Sequence, residues 1–181
     1  MQRYIAILRG INVSGAKKIK MEDLRARLTN FGFENVKTYI QSGNIVFDCK
    51  KEDPLVLAGQ LQQKILEDYG YEVPVVITGA NELKHIIDSN PFLKGRDEDQ
   101  GKLYVTFLAE SAASENIAKI DARDFQPDEF KINGKAIYLF CPEVYGRTKL
   151  TNNFFERKLK VTATTRNWKT VNALLSMADE K

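Results

Sequence analysis

Cysteine, histidine and tryptophan are nearly absent from the 181 residues, at two, one and one respectively. Two cysteines cannot build a disulfide framework, and with one histidine they offer too few soft ligands for a structural zinc site. Long apolar runs are missing as well: no stretch of about 18 apolar residues occurs, which excludes a membrane-spanning helix. The opening residues Met1-Gln2-Arg3-Tyr4-Ile5 lack the apolar stretch and cleavage site of a secretory signal, so the expected location is cytoplasmic. Neither sign of charge dominates. A net +3 from 27 basic and 24 acidic residues implies by itself no polyanionic partner. What is present, 43% hydrophobic and 28% charged residues, matches an ordinary globular chain, one that buries roughly 70% of its unfolded surface.

The charge is unevenly placed. Arg9 to Arg27 holds six Lys or Arg against Glu22 and Asp23, and Arg147 to Lys169 holds seven against Glu156 alone. Asp48 to Asp99 and Glu110 to Glu129 are acidic. If the two basic segments meet in space, the molecule has a two-sided charge map.

Hydrophobic periodicity gives the element order. Tyr4–Arg9 reads as a strand, followed by a long glycine-bearing loop. Met21, Leu24, Leu28 and Phe31 recur at helical spacing and Gly32 supplies the stop. Val36–Gln41 and Ile45–Cys49 read as strands joined through Ser42-Gly43-Asn44. Asp53 and Pro54 open a helix that Gly70 ends, and Val73–Thr78 is a fourth strand. The order β-α-β-β-α-β is that of a ferredoxin-like plait.

The remainder echoes it. A linking helix over Glu82–Ser89 stops before Pro91, and the charged stretch Lys94–Gly101 reads as a mobile loop. Leu103–Leu108 is a strand, Ser114 caps a short helix, and Asn133-Gly134 turns Glu129–Ile132 back into Ala136–Cys141. Residues 148–159 read as a helix. So does the segment after a Thr165 cap, with Trp168, Val171, Leu174, Leu175 and Ala178 as one apolar stripe. Cys49 and Cys141 then fall at the same structural station. The expected fold is α+β, two ferredoxin-like plaits related by internal duplication. The expected domains are 1–78 and 79–181, the second including the linking and final helices.

Chemistry-bearing residues are sparse. The loop Arg9 to Lys20, with Lys17, Lys18 and Lys20, leads from a strand into a helix, a setting that favours anions. Its glycines fit neither the P-loop nor the dinucleotide pattern. Arg147 to Asn153 places Lys149 and Asn153 near Arg157 and Lys158, and Arg and Asn are side chains of phosphate and base-edge recognition. Arg166 and Asn167 adjoin Trp168, the only indole, whose place on the apolar stripe favours the core over a stacking role. His85 sits beside Ile86 and Ile87 and reads as structural. The adjacent acids Asp97, Glu98 and Asp99 read as solvated, and both cysteines end apolar strands. No catalytic constellation assembles. Tyr4 and Phe47 could serve an RNA-recognition plait as exposed aromatics, but its signature motif is absent.

Three strings taken together, Leu8-Arg9-Gly10-Ile11-Asn12-Val13, Tyr39-Ile40-Gln41-Ser42-Gly43-Asn44 and Thr164-Thr165-Arg166-Asn167-Trp168, resemble the bacterial family catalogued as domain of unknown function 1697. The strings Lys149-Leu150-Thr151-Asn152-Asn153 and Glu156-Arg157-Lys158-Leu159 resemble it too. Ser14-Gly15-Ala16 stands where that family suggests a richer glycine–lysine loop. The resemblance implies two ferredoxin-like plaits in a cytosolic protein and carries no catalytic residue or cofactor with it.

The polar residues of these strings suggest one ligand site. Arg9, Asn12, Lys17, Lys18, Lys20, Gln41, Ser42 and Asn44 of the first half, with Lys149, Asn153, Arg157, Arg166, Asn167 and Trp168 of the second, are expected to line a basic cleft between the halves. The expected ligand is anionic, a nucleotide or nucleic-acid segment, bound by a monomer or weak homodimer with no metal. Two other readings stand beside it: an interaction module pairing through sheet edges, and an enzyme acting on a phosphorylated small molecule.

Overall fold

In the computed structural model, which describes residues 1–180, every strand of the sequence reading is present, and one more. The first sheet is built from β1 (Gln2–Leu8), β2 (Glu34–Tyr39), β3 (Asn44–Cys49) and β4 (Val75–Gly79), in the order β2-β3-β1-β4, all neighbours antiparallel. Helix α1 (Met21–Phe31) connects β1 to β2, and α2 (Pro54–Tyr69) connects β3 to β4. Their ends form as expected. Gly32 (φ 109°) and Gly70 (φ 72°) take the left-handed conformation that closes a helix, and the Asp53 carboxylate accepts from Leu55 N at 2.7 Å ahead of Pro54. Strand alternation sends Tyr4, Ala6, Leu8, Ile45, Phe47 and Ile77 to the side where Leu24, Leu28, Leu61 and Ile65 of the two helices pack.

The second sheet repeats this order as β6-β7-β5-β8, from β5 (Leu103–Leu108), β6 (Glu129–Asn133), β7 (Ala136–Phe140) and β8 (Ala163–Asn167). A short α4 (Ser114–Ile117) and α5 (Asn152–Leu159) occupy the crossovers. The duplication extends to single hydrogen bonds. Leu8 N donates to Gly43 O and Arg9 N to Pro74 O, and the counterparts are Leu108 N to Lys135 O and Ala109 N to Thr162 O. Cys49 stands opposite Gln2 and Cys141 N donates to Lys102 O, so the two cysteines do share one station.

Several local expectations are corrected. Thr165 is not a helix cap: it lies in β8, and Asn167 Oδ1 accepts from Thr170 N at 2.8 Å to cap α6 (Trp168–Asp179). The helix read over 148–159 begins at Asn152, capped by Thr151, and Ser114 is the first residue of its helix rather than the cap. Asn44 belongs to β3, paired with Tyr39, so the first hairpin turns through residues 40–43. The helix read as a linker is α3 (Ala80–Asp88), which follows β4 directly as α6 follows β8, so each plait is followed in the chain by a helix. Arg96, in the stretch read as mobile, forms a bidentate pair with Glu129 at 2.8 and 3.0 Å and lies over the rings of Phe92 and Phe140.

The chain divides into two compact units. One comprises Met1–Lys84 with the residues from Ala173 onward, the other His85–Asn172. The boundary expected at 78/79 falls at the end of β4. The sheet face of the first unit opposite its helices is not solvated: Ile5, Ile7, Val46 and Val76 on it are buried. Among the described residues no helix is long and apolar enough to cross a membrane.

Candidate functional site

After β1 the chain leaves the first sheet as a narrow finger. Gly10 takes φ 74° and Asn12 φ 54°, and Asn12 N then donates to Lys17 O while Ala16 N donates to Val13 O at 2.9 Å. Ser14 (φ 50°) and Gly15 (φ 78°) make the two-residue tip, both left-handed as a type I′ turn requires. Lys17 is left-handed as well, at φ 44°. Non-glycine residues pay a steric penalty in this region, of order 1 kcal/mol each, and persist only where their surroundings fix them.

Asn12 does the fixing. Its amide nitrogen donates to Ile19 O (2.9 Å) and Gln41 O (2.8 Å), and its amide oxygen accepts from Ile19 N (2.8 Å). The finger's base is thereby tied both to its own return and to the β2–β3 turn. That turn is seated against β1, because Leu8 N donates to Gly43 O at 2.8 Å. Asn44, fully buried, donates to Tyr39 O and Ser42 Oγ at 3.0 Å each. The first two strings of the sequence reading are therefore one knot. Arg9, Asn12, Lys17, Lys18, Lys20, Gln41, Ser42 and Asn44 come together at one corner, with Asn12 and Asn44 as braces.

Between Arg9 and Met21 the finger has four cations and no acid. The Lys17 ammonium reaches back to Glu72 O, whereas Lys18 and Lys20 are exposed, as is the tip residue Val13 (57%). The first turn of α1 carries Glu22 and Asp23, which already complement the helix dipole. The positive charge this corner exposes is therefore that of lysine side chains rather than of the helix terminus.

The residues singled out in the second unit do not form one surface within it. Asn153 and Arg157, one turn apart, are exposed on α5, and Lys149 is exposed ahead of it. Asn152 of the same helix accepts from Thr165 Oγ1 at 2.7 Å, so Thr165 faces α5. Its neighbour Arg166 therefore points to the other face of the sheet. Burial pushes the Arg166 guanidinium down to about 10, partly offset by Tyr145. Lys149 shares a hollow with Arg147, Asp124, Asp128 and Glu143, which offsets part of the basic excess read from the sequence. Trp168 is buried (4%).

Tyr4 and Phe47 are buried and stacked, with Phe33 beyond Phe47, on the helix side of their sheet, so no exposed base-stacking platform exists there. Both cysteines are buried thiols. Desolvation pushes Cys49 up and Cys141 up to about 11, away from the thiolate a nucleophile requires. Among the described residues no group of three His, Cys, Asp or Glu could hold a metal.

Two arrangements escaped the sequence reading. Arg3 pairs with Asp48 through Nε (2.8 Å) and Nη2 (2.9 Å), Asn35 donates to the same carboxylate, and Arg3 Nη1 donates to Ala178 O (2.8 Å) and Glu180 O. The alternation Arg3-x-Ile5-x-Ile7 was the available signal, a cation on a face otherwise apolar. Tyr104 stacks on Tyr145 with centroids 4.2 Å apart. Forty intervening residues gave no local signal for it.

A family model described as "Protein of unknown function (DUF1697)" matches residues 1–138. No curated protein matches the chain. A solved structure, described as that of the conserved bacterial protein SP0830 from Streptococcus pneumoniae, is similar with a TM-score of 0.75 and 24% identity, over 98% of this chain and 99% of that one. At that identity the shared property is the fold.

Proposed function

The chain belongs to the DUF1697 family, and from that premise, which assigns no chemistry, we propose that it binds an anionic, phosphate-bearing ligand, a nucleotide or nucleic-acid segment, through the basic finger of its first unit. One observation carries this reading. The finger's base is braced by three hydrogen bonds of a single side chain, Asn12, while its tip, Lys18 and Lys20 remain exposed. A solvated connection needs neither left-handed non-glycine residues nor such a brace, whereas a recognition loop gains from being held in one shape before it meets its ligand. Exposed lysine ammonium groups suit phosphate as point charges.

Pairing through sheet edges is the weaker reading. Edge strand β2 is interrupted by a bulge between Glu34 and Lys37 with Asn35 at φ 50°, and edge strand β6 presents Glu129 and Lys131. Bulges and edge charges are the devices that discourage strand addition.

Fluorescence anisotropy of labelled single-stranded RNA and DNA across a salt series tests the proposal. The expected result is saturable binding with log K falling linearly in log salt. In the double variant Lys18→Glu/Lys20→Glu the magnitude of that slope should fall by about 1.4, at roughly 0.7 per lost contact to a single strand. Binding that the double variant leaves unchanged, or no binding to any oligonucleotide or free nucleotide, overturns it.

A further inference from the structure

The second unit contains a cavity of about 540 Å³ lined by Gln100, Gly101, Tyr104, Asn167, Trp168, Lys169 and Asn172. Its construction follows from the plait. Asp99 caps a 3-10 turn by accepting from Gly101 N at 2.8 Å, which holds Gln100 just ahead of β5. The β5–β8 register pairs Tyr104 with Asn167. Helix α6 then starts at Trp168, with Lys169 and Asn172 in its first turns.

The lining is chemically selective. Among the described residues the Tyr104 hydroxyl, the Gln100 carboxamide and the Lys169 ammonium have no hydrogen-bond partner. Asn167 uses its amide oxygen for Thr170 N, which leaves its NH2 group to donate. Two aromatic side chains supply the apolar wall, and no carboxylate lines the cavity. Its volume lies within the ~300–1,000 Å³ of small-molecule sites.

We propose that this cavity is a second site, separate from the finger, that takes a planar heteroaromatic ring bearing one anionic group, of the size of a nucleoside monophosphate. Carboxamides offer donor and acceptor together, which matches the edge of a nucleobase. The half-buried Tyr104 ring, with the edge of the otherwise buried Trp168, offers the apolar surface against which a flat ring packs. A single lysine matches a single phosphate, and the absence of carboxylates leaves no seat for the divalent ion that accompanies a triphosphate.

Trp168, the only indole, lines the cavity and reports on it directly. Its emission is to be followed during titration with the four ribonucleoside 5′-monophosphates, their nucleosides and inorganic phosphate. The expected result is a saturable change with at least one monophosphate. Lys169→Ala should weaken it roughly tenfold, the scale of one charge-assisted contact, and Gln100→Ala and Tyr104→Phe several-fold. Lys169 and Gln100 hold nothing in place, and Tyr104→Phe keeps the ring that stacks on Tyr145, so thermal melts of the variants should match the parent. Lys18→Glu/Lys20→Glu should leave the titration unchanged, which separates this site from the finger. No saturable change with any monophosphate, an equal response to inorganic phosphate alone, or affinity unmoved by all three cavity variants overturns the proposal.

Discussion

At Gly43 two requirements meet in one residue. Its φ is 82°, and a Cβ there would lie 2.7 Å from Leu8 Cβ and 2.8 Å from Ile11 Cδ1. Gly134 has a similar φ, 58°, with nothing near its missing side chain. Gly134→Ala should cost about 1 kcal/mol for the left-handed backbone alone, and Gly43→Ala about 2–4 kcal/mol, because overpacking adds to it. Urea denaturation of the pair measures the difference. A second residue-scale effect concerns acid. Arg3, and then Asn35, holds the Asp48 carboxyl below the usual carboxylate range. Asp23 and Glu129 are lowered as well, and Asp121 to about 2 by Arg123. A carboxyl whose folded pKa is depressed stabilises fully above its unfolded value, near 3.9 for Asp, and loses that contribution as pH falls through the folded one. Stability should therefore hold from pH 8 to about 5 and fall below about 4. Asp48→Asn should flatten part of that acid slope while costing about 1–3 kcal/mol at neutral pH, since it weakens a charge-assisted pair. Denaturation midpoints across pH check both.

At the scale of elements, the final turn of α6 is a strap on the first sheet. Arg3 Nη1 donates to Ala178 O and Glu180 O, Lys37 pairs with Glu180 at 2.7 Å, and Ala178 is buried. A chain ending at Met177 should lose about 1–3 kcal/mol of stability, read by chemical denaturation. In that background Arg3→Ala should cost less than in the parent, because the two changes share a contact. Elements bounded by local chemistry could be read directly: Asp53-Pro54 and Gly70 delimit α2, Gly32 ends α1, and Asn133-Gly134 turns β6 into β7. Strand β8 could not. Ala163-Thr164-Thr165-Arg166-Asn167 has no apolar alternation, and threonine ahead of a helical stripe reads equally well as a cap. It becomes a strand because β5 offers an open edge, a tertiary fact. The finger showed the same limit. Its strings announced themselves, but Asn12 as a brace and Asn12 as a ligand contact are identical in sequence, and only Ile19 and Gln41 within 3 Å decide.

For the molecule as a whole, net charge is a poor guide to where an anion is attracted. The more basic of the two segments, Arg147 to Lys169, sets Arg147 and Lys149 beside Asp124, Asp128 and Glu143, whereas the finger has no acid between Arg9 and Met21. Field near a surface follows local imbalance, so a segment's net charge does not by itself locate an anion site. The path of the chain between its two units has a further consequence. It leaves the first unit after Lys84 and returns at Ala173. Arg3 and its partner carbonyl at Ala178 are thus 175 positions apart. At about 5–20 residues per second of synthesis, Arg3 waits on the order of ten seconds or more for that partner. In a cell, the sheet that is translated first is the last to be completed. During that interval its strap-side face lacks these contacts, so a stalled ribosome would present the nascent first unit to chaperones and proteases in a state the finished protein never shows.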